Sequence, residues 1–200
     1  MNNLSLEEMN FSAFDITLLN PTERSVIISW LQEILQSNSK IAALQSFKFN
    51  SILNEKHLFS AVHHSWNGYK NKYMISNSLS VEFLVYLSGQ RQISKAFQNF
   101  GLPETTEKFS LLVFHTTTYS SPNSLLKSNS FNKLVVSIES LAFTDSIQKR
   151  KQLAKQFEFN YSQDEKFLES ETGFRQLENF ILSSISNVVF ESSKLENNNK

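Results

Sequence analysis

No cysteine occurs among the 200 residues, which excludes disulfides, thiolate nucleophiles and thiolate metal ligands and fits a reducing compartment. Glycine is almost as scarce. Gly68, Gly89, Gly101 and Gly173 are the only four, and each stands alone, so neither a Walker loop nor a dinucleotide-type phosphate loop is present. There is no HExxH sequence and no nucleophile elbow. Adjacent His63 and His64 cannot face one ligand from a helix, which argues against a metal site built on them. Asp15, Asp145 and Asp164 lie in unrelated contexts, and nothing sets His57 or His115 beside a particular serine. The formal net charge is zero, so no overall field draws the chain to nucleic acid or membrane, and any RNA contact must come from a local patch. No apolar run is long enough to cross a bilayer. The opening MNNLSLEEMN carries early acids and resembles neither a secretory nor a transit peptide. The expectation is a soluble intracellular protein, without catalytic activity, cofactor or metal.

What is present suffices for one core. A hydrophobic content of 40% over this length predicts a single domain over 1–191, with 192–200 as a disordered tail. Phe14, Ile16 and Leu18 alternate as a strand would, and Asn20-Pro21-Thr22-Glu23 reads as a helix start, with Asn20 as cap and Pro21 at the first helical position. Ile27, Trp30, Leu31 and Ile34 form the buried stripe of that helix. Ile41 to Phe49 suggests a strand. Asn54 then caps a helix whose face is Leu58, Val62, Trp66 and Tyr69. Lys108 to His115 and Lys133 to Glu139 read as two strands, neighbours and antiparallel, joined by a polar loop from Thr116 to Asn132. Thr144 or Asp145 caps a helix with Ile147, Ala154 and Phe157 on one face and a solvated basic face of Lys149, Arg150, Lys151 and Lys155. Tyr161 to Glu169 reads as a loop. Phe174, Leu177, Ile181, Ile185 and Val188 mark a last amphipathic helix that frays after Glu191. Adjacent strands and segregated helices indicate an α+β fold with a small, mostly antiparallel sheet.

The stretch from Ser78 to Gly101 organises the rest. Leu79, Phe83, Tyr86 and Leu87 share one helical face behind a Ser78 cap, and Ile93, Ala96, Phe97 and Phe100 share another that Gly101 ends in a left-handed conformation. The two make an αα-hairpin with its corner at Ser88 and Gly89. Arg91, read in the first turn of the second helix, opposes the helix dipole there, an arrangement that becomes favourable when an anion docks. A solvated surface cation or a pair with a nearby glutamate is the other reading.

This stretch, VEFLVYLSGQRQISKAFQNFG, together with HLFSAVHHSWNGYKNK upstream, resembles the PRPK-binding protein family, the small kinase-associated subunit of the KEOPS (EKC) complex. The similarity runs from about Phe14 to Phe114 and weakens toward the C-terminus. The resemblance implies a non-catalytic subunit that binds a small atypical kinase/ATPase of the PRPK type and, through it, the other KEOPS subunits. It also implies a role in threonylcarbamoyladenosine modification of tRNA position 37, contact with the tRNA 3′ CCA end, links to telomere maintenance and transcription, and residence in cytoplasm and nucleus. The kinase-contacting residues are expected on the helices between Asn54 and Gly101. The candidate tRNA-binding patch is Arg91, Lys95, Ser88 and Gly89, with Lys70 and Lys72 from the preceding helix. The alternatives are a stand-alone RNA-binding protein or a small hydrolase; neither membrane nor small-molecule substrate is expected.

Overall fold

The computed structural model describes residues 9–116, 133–161 and 166–197. Its elements are β1 (Asn10–Glu23), α1 (Arg24–Ser37), β2 (Ile41–Lys48), α2 (Glu55–Lys70), α3 (Leu79–Ser88), α4 (Ile93–Phe100), β3 (Thr105–His115), β4 (Val135–Ser140), α5 (Ile147–Gln156) and α6 (Glu171–Asn197), with a 3-10 turn at Phe167–Glu169. The order matches the sequence reading, and the class is α+β with one antiparallel sheet ordered β2-β3-β1-β4. The elements fall into two compact units, each discontinuous in sequence: Met1–Phe49 with Gly101–Ala142 holds the sheet and α1, and Asn50–Phe100 with Phe143–Lys200 holds the other helices.

In the sheet unit, strand register sets the core. Phe14 pairs with Leu111 and Ile16 with Phe109, so these side chains share a face. They cluster with Leu18, Val113 and the α1 stripe of Ile27, Trp30, Leu31 and Ile34. The apolar run of β3 is buried from Phe109 to His115 because this strand lies inside the sheet, bonded to β1 and β2. Two expectations are corrected here. Strands β3 and β4 are not neighbours: β1 is long enough to pair with both and lies between them. The stretch Asn20-Pro21-Thr22-Glu23 does not start a helix, because Thr22 and Glu23 pair with Thr106 and Thr105 and keep the backbone extended. Pro21 sits where the register shifts between Thr17 and Thr22, a place that asks no N–H of it. The helix opens at Arg24, after a Glu23 that makes no side-chain cap bond. The expected loop after Thr116 lies outside the described residues.

In the helical unit, capping follows the sequence. Asn54 accepts the N–H of His57, and Ser78 that of Val81. The α5 cap is Ser146, which accepts from the Lys149 N–H, rather than Thr144 or Asp145. The buried face of α2 is His57, Leu58, Ala61, Val62, Ser65 and Gly68, rotated away from the expected stripe. Trp66 is half-buried and Tyr69 exposed at its edge, and their rings stack on each other at 5.4 Å. In α6, Leu177, Ile181, Ile185 and Val188 are buried as expected, and the helical backbone continues to Asn197. The segment read as a loop ends in the 3-10 turn at Phe167–Glu169, while 162–165 and Asp164 with them lie outside the described residues.

Candidate functional site

Helix α3 is buried nearly all round, which makes it the fixed post of the helical unit. The carboxylate of Glu82, itself inaccessible, accepts the N–H groups of Ile75 and Ser76 at 3.0 and 2.8 Å and so pins the segment that leads into the helix. At the other end, Gly89 takes φ 60°. Its N–H donates to the Tyr86 carbonyl and that of Gln90 to the Val85 carbonyl, the paired bonds of a Schellman stop. A Cβ on Gly89 would lie 2.9 Å from both the Phe157 ring and Ser184 Cβ. The corner therefore requires glycine for conformation and for space. Ser88 is buried, and its hydroxyl donates to the Val85 carbonyl at 2.9 Å and accepts the Gln90 N–H at 3.2 Å. That hydroxyl is occupied by the turn.

Beyond the corner the chain departs from expectation. Helix α4 begins at Ile93, so Arg91 precedes the first turn instead of lying in it. Gly101 does not adopt a left-handed conformation; among the described glycines only Gly89 has positive φ. Only Ala96 and Phe100 of the expected α4 stripe are buried, while Ile93 and Phe97 are exposed.

Gly89, Gln90, Arg91, Gln92 and Lys95 line one side of a cleft of about 290 Å³, whose other side is Ser184, Asn187 and Val188 of α6. The structure thus gathers Gly89, Arg91 and Lys95, keeps Ser88 inside the turn, and leaves Lys70 and Lys72 outside the lining. Lys70 closes α2 and Lys72 follows it with φ 61°, both exposed. Ser184 and Asn187 carry no signal in the sequence, because Ser183 and Ser186 stand beside them and nothing there sets two of the four polar residues apart. Arg91 is half-buried, with Nη1 turned inside. Burial raises the Tyr86 phenol above its ordinary range, Glu82 and Tyr73 push the same way, and Arg91 works against them.

The other titratable groups hold the fold. Lys149 is not on a solvated face: it is buried, with Nζ donating to the Thr144 carbonyl at 2.7 Å. Arg150 donates through Nε and Nη2 to the Asp145 carboxylate and through Nη1 to the Leu168 carbonyl at 2.7 Å, with its guanidinium 4.6 Å from the centre of the Phe174 ring. That hydrogen bond holds the Asp145 carboxyl below the usual carboxylate range. Asp15 accepts from the Ser110 hydroxyl at 2.6 Å and the Ala142 N–H at 3.2 Å. One pairing the sequence did not suggest is Ser12 Oγ with His115 Nε2, at 2.8 Å on neighbouring strands. His115 is buried at the end of the sheet core, where the contact satisfies polar atoms. The His63 and His64 rings meet edge to face; His63 bonds Asn67 and His64 stacks on Tyr86. Among the described residues no group of three or more His, Asp or Glu side chains is placed to hold a metal ion, and no helix is long and apolar enough to cross a membrane.

A model of the family described as kinase binding protein CGI-121 matches residues 26–187. The match extends well past Phe114 and takes in every residue lining the cleft except Val188. No curated protein matches the chain.

Proposed function

The chain belongs to the kinase binding protein CGI-121 family, and on that premise we propose that it is the non-catalytic, kinase-bound subunit of a KEOPS (EKC) complex. In this reading its direct partner is a small atypical kinase/ATPase of the PRPK type, with the other subunits reached through that kinase. The complex installs threonylcarbamoyladenosine at tRNA position 37 while this subunit holds the 3′ CCA end, in cytoplasm and nucleus, with telomere maintenance and transcription as further outlets.

The observation that carries the RNA half is the meeting of Arg91 and Lys95 in one cleft with the amides of Gln90, Gln92 and Asn187 and the hydroxyl of Ser184. Two cations suit backbone phosphates and the amides suit ribose hydroxyls and base edges, while the Ser184 hydroxyl, which donates to the Phe180 carbonyl, is left to accept a hydrogen bond. Among the described residues no aromatic side chain lines the cleft, so binding there relies on charge and hydrogen bonds rather than on stacking. For the kinase half, Phe59, Tyr69, Ile93 and Phe97 supply exposed apolar area on α2 and α4, the helices where docking is expected.

The RNA assignment is tested by titrating a CCA-ended tRNA into the wild type and the Arg91→Glu/Lys95→Glu variant. Loss of affinity by roughly tenfold or more, with a shallower salt dependence, is expected; unchanged affinity in a folded variant removes the cleft from the mechanism. Co-purification with the kinase tests the other half, and a chain that ignores the kinase overturns it.

A further inference from the structure

We propose that Ser94 is a phosphoacceptor, and that a phosphate on it closes the Arg91/Lys95 cleft to RNA; the closing half rests on the RNA role proposed above. Four arginines occur in the chain, and the residues three positions after Arg24, Arg91, Arg150 and Arg175 are Ile27, Ser94, Leu153 and Glu178. Among the arginines only Arg91 precedes a hydroxyl at that spacing, one at which an Arg-directed serine/threonine kinase reads a guanidinium by charge complementarity.

Structure separates Ser94 from the serines that cap helices and close turns. The hydroxyls of Ser78, Ser88, Ser146 and Ser170 each accept a backbone N–H at a helix end or turn. Ser94 is exposed, and among the described residues its hydroxyl has no hydrogen-bond partner. Modification there costs the fold no existing bond. It also falls in the opening turn of α4, where added negative charge agrees with the helix dipole.

The position decides the consequence. Ser94 adjoins Lys95 and follows Arg91 by three residues, and both of these cations line the cleft. A phosphoserine brings a charge of roughly −1.5 to −2 at neutral pH, enough to cancel the two cations in a protein whose net charge offers no other attraction for RNA. In the transfer, Ser94 Oγ attacks the γ-phosphorus of a nucleoside triphosphate held by a separate basophilic protein kinase. The bond to the bridging oxygen breaks, the nucleoside diphosphate leaves, and the hydroxyl proton passes to solvent.

The test treats the purified full chain with ATP and an Arg-directed serine/threonine kinase, maps phosphate by peptide mass spectrometry, and then measures tRNA affinity. The expected result is phosphate on Ser94, none there in Ser94→Ala, and incorporation reduced about tenfold by Arg91→Gln. The phosphorylated chain should bind tRNA about tenfold more weakly, while Ser94→Ala binds normally before and after treatment. Phosphate found elsewhere, or none, overturns the phosphoacceptor; full affinity in the phosphorylated chain overturns the closing. Should the unmodified chain fail to bind tRNA, the functional reading and the closing fall together, while the peptide map still decides the acceptor.

Discussion

The imidazole of His57 ties the start of α2 to the end of α3: Nε2 lies 2.8 Å from the carbonyl oxygen of Leu87, and Nδ1 accepts the N–H of Leu53 at 3.2 Å. A nitrogen that accepts a backbone N–H carries no proton, so the ring is neutral with its hydrogen on Nε2. It is 1% exposed and meets the Phe157 ring edge to face.

This tie makes stability depend on pH. Burial, with a smaller push from Lys149, lowers the His57 pKa from 6.5 to about 4 in spite of the Leu87 bond. The unfolded chain takes up its proton near 6.5 and the folded one only near 4, so the contribution is complete above that upper value and is lost as pH falls through the interval. The total is about 3 kcal/mol. Urea midpoints measured from pH 7 to 4.5 should fall, and His57→Gln should flatten that slope while lowering stability throughout. A flat wild-type profile contradicts the assignment.

Gly89→Ala should cost about 2–4 kcal/mol, because it adds left-handed strain to a collision with Phe157 and Ser184. Thermal unfolding reads the loss. A variant within about 0.5 kcal/mol of wild type would show that the corner relaxes freely.

Arg150→Lys should lower stability by about 2 kcal/mol, since a single ammonium cannot reproduce the fork on Asp145, the bond to the Leu168 carbonyl and the stacking on Phe174. Affinity for tRNA should stay unchanged. The Asp145 part of this contribution is present above the ordinary carboxylate pKa and is lost as acid protonates the group. Weaker tRNA binding in a folded Arg150→Lys variant would instead place the α5 basic face in the RNA site.

Ile93→Gln and Phe97→Gln should leave the fold and tRNA affinity intact, because both side chains are exposed, neither lines the cleft and no charge is added beside it. Kinase co-purification should drop sharply. Normal recovery of the kinase by both variants and by Phe59→Asp would move docking off these surfaces.

Local chemistry was the legible part of this protein. Asn54 and Ser78 cap because their side chains reach N–H groups three residues away, and Gly89 stops α3 because its backbone alone takes that conformation without strain. The same local logic failed at Asn20-Pro21-Thr22-Glu23, where ladder bonds to Thr105 and Thr106 outweigh a plausible helix start. It failed again for Lys149 and Arg150, whose charges look solvated in sequence yet meet the carbonyls of Thr144 and Leu168 in the fold.

The sequence by itself determined the order of elements, the α+β class and the glycine corner, since periodicity and capping act over a few residues. Only the tertiary structure decided that Ser184 and Asn187 face Arg91 and Lys95 across a cleft, that Lys70 and Lys72 do not, and that Ser88 is occupied. What a polar group is available to bind depends on burial and on partners distant in the chain. Both are settled by packing, which local residue spacing does not encode.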